Sequence, residues 1–232
     1  MNFETWEPVY EQILASFGYS RNADERARDL LGSMLSDSVV FDHESLDFTG
    51  DTVAIAGGAQ SLSSDLALVA AADVVIATAD AAVALRERGY PLDCVVSDLD
   101  GSLSIVRDST AEEIPVVIHA HGDNRSALDS VVPTVSHSSV IPTTQAEPTD
   151  VVRNFGGFTD GDRAAFLADY AGARKISFPG WDFDDSSVSP EKRAKLRWAE
   201  RLLFWLERRR NDRFDVLDGR RDGIETDSFP VE

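Results

Sequence analysis

The spacing of apolar positions along the chain changes near residue 50. From Phe3 to Phe17 apolar residues recur at helical intervals, and Gly18 ends the run. A second helix is predicted from Ala23 to Leu35, with Asn22 as its N-terminal cap. We therefore expect residues 1–50 to form a helical segment that packs on the main domain, with a partner-binding arm as the alternative.

From Thr52 onward short apolar runs alternate with helical patterns. Such alternation is typical of a mostly parallel sheet covered by helices, so we predict an α/β, Rossmann-like fold of about six strands in residues 51–210. The predicted strands lie at residues 53–56, 74–77, 95–96, 116–119, 139–141 and 175–178, and helices are expected at residues 62–71, 81–88 and 160–170.

A long helix is predicted from Pro190 to Arg210, followed by a polar tail. One stripe of this helix is apolar, and its charged remainder is typical of a solvated face. Leu203, Phe204 and Trp205 widen the apolar surface, which keeps a homodimer interface open. Residues 211–232 are polar and rich in turn formers, a composition typical of a partly disordered tail.

The bulk composition fits one globular domain. The chain has 232 residues, of which 43% are hydrophobic, and no apolar run approaches the length of a membrane span. We expect no membrane segment, and the N-terminus lacks the basic start and apolar stretch of a signal peptide. The single cysteine, Cys94, excludes an internal disulfide and predicts a cytoplasmic protein.

The charge of the chain narrows the choice of partners. Its formal net charge is −19, and arginine supplies nearly all of the positive charge. Such a surface repels nucleic acid and anionic membranes, so we expect neither as a partner. A small anionic ligand remains compatible where metal ions and backbone N–H groups neutralise it locally. Because molar salt screens self-repulsion, we also predict an organism with a salty cytoplasm.

Two carboxylates stand at the end of the third predicted strand. Side chains alternate along a strand, so Asp98 and Asp100 are expected to point the same way before Gly101 begins a turn. Carboxylates about 4 Å apart repel each other by roughly 4 kcal/mol at an effective dielectric constant near 20. A hard divalent cation such as Mg²⁺ would relieve this repulsion, whereas a solvated turn is the alternative.

Other turns after strands carry glycine or histidine. Gly57 and Gly58 would let backbone N–H groups approach a ligand, and Ser61 can begin the next helix, which is a weak phosphate-binding signal by itself. His119 and His121 lie two residues apart, as zinc ligands can, but the carboxylate-rich surroundings favour magnesium.

The stretch from Asn154 to Arg163 contains a double glycine, which predicts an adjustable loop, and the start of a helix. We expect Thr159 or Asp160 to cap this helix while the other residue faces a ligand. Phe155 and Phe158 either stack on a flat heterocycle or anchor the loop.

Acidic residues recur at the predicted strand ends and helix starts. The carboxyl ends of parallel strands border the ligand crevice of an open sheet, so these side chains should share one rim. Without cations they would repel each other, and one or two Mg²⁺ ions are the simplest hypothesis. The five residues are Asp98, Asp100, Asp123, Asp160 and Asp182.

Five motifs, in this order, resemble the archaeal-type 6-hydroxymethyl-7,8-dihydropterin pyrophosphokinase family. The resemblance covers roughly Phe3 to Leu206 and implies the fold of the thiamine pyrophosphokinase catalytic domain. It also implies Mg²⁺-dependent transfer of diphosphate from ATP to a pterin alcohol, with release of AMP, in archaeal folate or methanopterin synthesis. The motifs are Gly-Gly-Ala-Gln-Ser-Leu at 57–62, Ala-Thr-Ala-Asp at 77–80, Asp-Cys-Val-Val-Ser-Asp-Leu-Asp-Gly at 93–101, His-Ala-His-Gly-Asp-Asn at 119–124 and Gly-Gly-Phe-Thr-Asp-Gly-Asp-Arg at 156–163.

The resemblance implies roles for individual residues. The acidic positions expected to bind Mg²⁺ and act in catalysis are matched by Asp98, Asp100, Asp123 and Asp160. The positions expected to bind the nucleotide are matched by Gly57, Gly58, Ser61, Thr78, Asp80, His121, Gly122, Asn124 and Thr159. The first loop departs from the more usual Gly-Gly-Gly-Pro-Ser-Leu, because Ala56 precedes the glycines and Ala59-Gln60 follow them.

Three other functions stay open at this point. Thiamine pyrophosphokinase performs the same chemistry on another alcohol. A sugar transferase is a second alternative, although those proteins carry an extra domain for which this chain is too short. A nucleotide-binding module without catalysis is the third, although binding alone would not need so many carboxylates.

Overall fold

The computed structural model describes residues 1–226 and 228–230, and its centre is a parallel sheet. The strands are β1 (Thr52–Ala56), β2 (Val74–Thr78), β3 (Cys94–Ser97), β4 (Val116–Ala120), β5 (Val140–Thr144) and β6 (Lys175–Ser177). They lie in the order β5-β4-β3-β2-β1-β6, and every neighbouring pair is parallel. The predicted α/β class is therefore confirmed.

Helices cover both faces of the sheet. They are α1 (Phe3–Phe17), α2 (Arg21–Leu35), α3 (Leu66–Ala70), α4 (Ala79–Arg86), α5 (Leu103–Ala111), α6 (Arg125–Val131), α7 (Asp160–Tyr170) and α8 (Pro190–Arg210). One hydrophobic core lies under α1, α7 and α8, and the other lies under α2 to α6. Successive strand residues alternate between these cores, as Val95 and Val96 do. Among the described residues, no helix combines the length and apolarity that a membrane span requires.

The two N-terminal helices form as predicted, except that the second begins two residues earlier. The side chain of Asn2 caps α1 by accepting from the Thr5 N–H (2.8 Å), and Gly18 ends the helix with a φ of 69°. Helix α2 begins at Arg21, two residues before the predicted start, and Ser20 occupies the N-cap position in place of Asn22.

The helix predicted after the double glycine is interrupted. A 3₁₀ turn at Gln60–Ser63 precedes the short α3. The reason is a contact with the loop after β6, because the Ala59 N–H donates to the Gly180 carbonyl (3.0 Å). The Gly180 N–H in turn donates to the Asp65 carboxylate (3.0 Å), so this segment is held against the neighbouring loop.

The polar C-terminal segment is ordered where the structure describes it, contrary to expectation. Phe214 and Phe229 are buried, and Phe229 stacks on Trp198 of α8 with ring centroids 6.0 Å apart. The Trp205 indole N–H donates to the Pro230 carbonyl (3.0 Å). This part of the chain therefore covers Trp205, one of the three residues that kept a dimer interface open. The boundaries at residues 50 and 210 stay predictions.

Candidate active site

All six strands end at one cavity of about 690 Å³, at the carboxyl edge of the sheet. This is the edge at which open parallel sheets bind ligands. Nine carboxylates line the cavity, including all five of the predicted rim, against three lysine or arginine side chains. From β5 to β6, the lining residues at the strand ends are Gln145, His121–Asp123, Asp98, Asp100–Gly101, Thr78–Asp80, Gly57–Ala59 and Gly180–Asp182.

Three of these carboxylates form a tight cluster. Asp98, Asp100 and Asp160 each offer an oxygen, and these oxygens all lie within 4.8 Å of one another. The Asp98 and Asp160 side chains are largely buried, with 18% and 17% of their surface exposed. The cluster joins the end of β3 to the first turn of α7, two elements that are far apart in sequence.

A turn at Leu99, and not strand alternation, brings Asp98 and Asp100 together. Strand β3 already ends at Ser97, and Leu99 adopts a left-handed φ of 68° although it is not glycine. The Leu99 N–H donates to the Ser97 hydroxyl (3.0 Å), and the Leu99 side chain is buried. Gly101, predicted to begin the turn, has no positive φ. Buried non-glycine residues in this conformation are found preferentially at functional sites.

Arg163 joins the cluster as its positive partner. One guanidinium nitrogen lies 2.9 Å from the Asp160 carboxylate and 3.6 Å from that of Asp98. The side chain is only 6% exposed, and its Nε has no hydrogen-bond partner among the described residues. No role for Arg163 was predicted from the sequence, although its position three residues after Asp160 on a predicted helix places the two side chains on one face.

The pKa values show that one positive side chain does not balance the cluster. Burial by itself would raise the pKa of Asp98, but His121, 3.5 Å away, and Arg163 outweigh burial and hold it well below its usual range. The pKa of Asp100 is raised to about 6, first by its hydrogen bond with Asp98 and then by burial. Burial and the charge of Asp98 also raise the pKa of Asp160 well above its usual range, although Arg163 opposes them.

This imbalance gives a stability prediction for Asp100→Asn. Because the folded-state pKa of Asp100 lies above the ordinary 3.8, its ionisation destabilises the fold as pH rises from about 4 through about 6. Without divalent cations, the variant should melt roughly 2 °C above the parent at pH 7.5, a small shift because Asp100 is solvent-exposed. At pH 4 the two proteins should melt together. Thermal scans in EDTA at both pH values test this, and an equal or lower Tm at pH 7.5 contradicts it.

The predicted fourth carboxylate does not join the cluster. Asp123 lines the cavity but is exposed, because the turn after β4 directs Asn124 inward instead. The buried Asn124 amide donates to the carbonyls of Asp98 and His119 (2.6 Å each), and its oxygen accepts from the His121 N–H (3.0 Å). Asn124 does not line the cavity, and it joins the ends of β3 and β4 instead of contacting a ligand.

The two histidines after β4 also differ in their surroundings. His121 lines the cavity, whereas His119 is buried, bonds to the Thr143 hydroxyl (3.0 Å) and is absent from the cavity wall. Burial, reinforced by Arg163, lowers the pKa of His119 well below its usual range. Among the described residues, the side chains close enough to share a metal ion are those of Asp98, Asp100 and Asp160, and neither histidine joins them, so zinc finds no support.

The double-glycine loop after β1 lines the cavity as expected. A side chain at Gly57 would lie 2.6 Å from the Gly180 carbonyl, so glycine lets the loops after β1 and β6 meet. The Gly57 N–H donates to the Pro179 carbonyl (2.9 Å), which leaves Gly58 as the exposed member of the pair. Ser61 lies outside the cavity wall.

The second predicted nucleotide loop faces the double glycine. Thr78 and Asp80 line the cavity at the start of α4. An Asp80 carboxylate oxygen lies 3.1 Å from the point where a side chain at Gly101 would begin, and the Asp80 Cβ lies near Gly58. Asp80 therefore stands between the loop after β1 and the acidic turn after β3.

The double glycine before α7 is packed and is not an adjustable loop. Gly156 and Gly157 are buried, both with a φ of 94°, and a side chain at Gly157 would lie 2.6 Å from the Arg163 backbone. Thr159 is the N-cap residue of α7 and donates from its hydroxyl to Asp162 (2.6 Å). Thr159 also lines the cavity, as does Phe158.

The first turns of α8 supply cations that the sequence analysis did not assign. Lys192 and Lys195 line the cavity, and they are two of the three lysines in the chain. The Lys195 ammonium lies 3.5 Å from Glu191 and lowers the pKa of Asp100 against the larger effects that raise it. The apolar stripe and solvated charged face predicted for this helix gave no sign that one end meets the strand edge.

These features define an α/β protein with an acidic ligand-binding cavity at the carboxyl edge of its sheet. The family profile described as 6-hydroxymethylpterin diphosphokinase MptE-like matches residues 31–187, and the chain belongs to this family. The family expected from the motifs is thus confirmed.

Three relatives carry the name 6-hydroxymethyl-7,8-dihydropterin pyrophosphokinase. The Pyrococcus furiosus protein is 37% identical over 94% of this chain and 99% of its own length. The Methanothermobacter thermautotrophicus protein is 36% identical over 90% of this chain and 96% of its own length. The Methanocaldococcus jannaschii protein is 29% identical over 89% of this chain and 96% of its own length. In each case the similarity therefore covers most of this chain and most of the relative.

Proposed function

We propose that this chain transfers diphosphate from ATP to 6-hydroxymethyl-7,8-dihydropterin in a Mg²⁺-dependent reaction that forms AMP and the pterin diphosphate. The observation that carries the proposal is the cluster of Asp98, Asp100 and Asp160 in the cavity of a chain whose relatives bear this name. We place the reaction in tetrahydrofolate or methanopterin biosynthesis, as the motifs implied.

The donor set of the cluster suits magnesium. It consists of carboxylate oxygens, the ligands that hard cations prefer, and Arg163 supplies a positive charge at 2.9 Å from Asp160 and 3.6 Å from Asp98. We assign Asp98, Asp100 and Asp160 as the ligands. When bound, Mg²⁺ would neutralise phosphate oxygens and stabilise the charge of the leaving group.

The protein side chains divide the remaining tasks. The pterin hydroxyl oxygen forms a bond to the β-phosphorus of ATP, and the bond from that phosphorus to the oxygen bridging it to the α-phosphorus breaks, so AMP leaves. The hydroxyl proton passes to a carboxylate. Asp98, Asp100 and Asp160 are the candidates for this role. Arg163 holds Asp98 and Asp160 in place.

The lysines of α8 are proposed to contact the ATP phosphates. Replacing Lys195 with methionine should raise the KM for ATP about tenfold, the effect of one lost hydrogen bond to a charged group. Steady-state kinetics at fixed Mg²⁺ measure this change. Lys175→Met is the matched control, because Lys175 is exposed at the start of β6 and does not line the cavity. Equal KM values for the two variants would contradict the assignment.

Product analysis tests the proposed reaction directly. The protein is incubated with ATP, Mg²⁺ and either the dihydropterin alcohol or thiamine, and AMP is quantified. AMP that forms only with the pterin supports the proposal. AMP that forms only with thiamine identifies the alternative diphosphokinase, and absence of AMP with both alcohols overturns the proposed function.

A further inference from the structure

A second polar group in the cavity lies apart from the acidic cluster. Asp24 of α2 and Gln145, which follows β5, both line the cavity, and each is only 3% exposed. Their side chains meet, because the Gln145 amide nitrogen lies 2.8 Å from an Asp24 carboxylate oxygen. The reaction proposed above assigns no task to either residue.

The hydrogen bonds of this pair leave acceptors unused. One Asp24 oxygen accepts from the Tyr10 hydroxyl (2.8 Å) and from Gln145, and the other accepts from the Gly122 N–H (2.7 Å). A carboxylate has about four acceptor sites, so one site remains, on the oxygen bound to Gly122. The Gln145 carbonyl oxygen is buried, and its partner among the described residues is the His119 ring, so one of its two acceptor sites remains.

Chemistry fixes which end of the Gln145 amide faces Asp24. A carboxylate accepts hydrogen bonds, so the amide must turn its NH₂ group to Asp24 and its oxygen away from it. The Gln145 backbone is held as well, because its carbonyl accepts from the Trp6 indole (2.9 Å) and from the Asn154 amide (3.0 Å). The remaining acceptor site of the side-chain oxygen can therefore take a hydrogen bond from a ligand donor.

We propose that Asp24 and Gln145 bind the pyrimidine edge of the pterin. A 2-amino-4-oxopyrimidine ring presents two adjacent donors, the ring N3–H and the 2-amino group, and these match two neighbouring acceptors. Adenine presents its amino donor beside a ring nitrogen that accepts, so it does not match the same pair. This assignment rests on the proposed function, of which it names the substrate-recognition residues.

The order of strands places this group at a suitable distance from the reaction centre. Gln145 follows β5 and Asp98 follows β3, so two strand spacings, about 10 Å, separate the two strand ends. A two-ring heterocycle with a hydroxymethyl arm is comparable in length. The glycines after β1 lie on the opposite side of β3, which leaves that side for the nucleotide.

Aromatic side chains border the same end of the cavity. Tyr19 and Phe158 line it, and their ring centroids lie 6.5 Å apart. Phe17 packs against both rings, with centroid distances of 5.2 Å to each. A flat heterocycle held by Asp24 and Gln145 would therefore lie next to aromatic surface.

Ligand binding tests the proposal without requiring turnover. The wild-type protein and Gln145→Met are titrated with 6-hydroxymethylpterin and with its analogue in which an oxo group replaces the 2-amino group. We expect the wild type to bind the 2-amino compound at least ~10-fold more tightly, because the oxo group would face an acceptor. In Gln145→Met that preference should fall to about threefold or less, while the Kd for ATP stays unchanged.

Tyr10→Phe is the matched control. It also removes a hydrogen bond to Asp24, but Tyr10 does not line the cavity, so the ligand preference should persist. Equal binding of the two pterins by the wild type overturns the proposal, even if the Gln145 variant fails to fold. A preference that survives in Gln145→Met overturns it too. If the wild type prefers the 2-amino compound but forms no AMP, the proposed reaction is rejected, whereas the proposed pterin-binding role of Asp24 and Gln145 is still supported.

Discussion

Replacing Asp98 with asparagine is expected to lower kcat with ATP and the pterin alcohol at least ~100-fold, because the variant loses one charge of the proposed Mg²⁺ site. Asp98 is the member of the cluster whose pKa is lowered, so it is the carboxylate most fully ionised at neutral pH. Steady-state rates at saturating ATP and pterin, measured over a range of Mg²⁺ concentrations, test the expectation.

A matched variant separates the metal-site effect from a general loss of charge. Asp129→Asn removes an exposed carboxylate of α6 that does not line the cavity, and it should retain kcat within about twofold, as surface substitutions usually have small effects. Circular dichroism should show both variants folded. A kcat for Asp98→Asn within tenfold of the parent would remove Asp98 from the metal site.

The architecture was predictable because it depends on local periodicity. Short apolar runs that alternate with helical patterns indicate a parallel sheet, and the carboxyl ends of its strands must meet at one edge. Asp98 and Asp160 could therefore be expected near each other although 61 residues separate them, and the structure places both in one cluster. The charge of the chain likewise predicts an organism with a salty cytoplasm, and the single cysteine predicts a cytoplasmic location, and both stay predictions.

The residues that sequence reasoning missed depend on contacts between distant elements. Gln145 looks like an ordinary loop residue until Asp24, on a helix 121 positions earlier, is placed against it. Lys195 belongs to a helix whose composition suggests only a solvated face. The position of Asp123 also depends on the turn after β4, because that strand ends at Ala120 and the turn buries Asn124 and leaves Asp123 exposed.

Arg163→Met is expected to lower the free energy of unfolding by about 3 kcal/mol in EDTA, the lower end of the range for breaking a buried ion pair. One guanidinium nitrogen lies 2.9 Å from the Asp160 carboxylate and 3.6 Å from the Asp98 carboxylate, and the side chain is almost fully buried. Its removal would leave two largely buried carboxylates without their positive partner. Urea denaturation with and without Mg²⁺ measures the loss.

The pattern of rescue distinguishes charge balance from lost packing. If the loss comes from unpaired carboxylates, millimolar Mg²⁺ should restore part of the stability of Arg163→Met, since the cation would supply positive charge at the same cluster. The double variant Asp160→Asn/Arg163→Met should also regain stability in EDTA, because one carboxylate no longer needs a partner. A loss below about 1 kcal/mol, or a loss that neither Mg²⁺ nor the second substitution reduces, would show that Arg163 does not act as the internal counter-ion of the cluster.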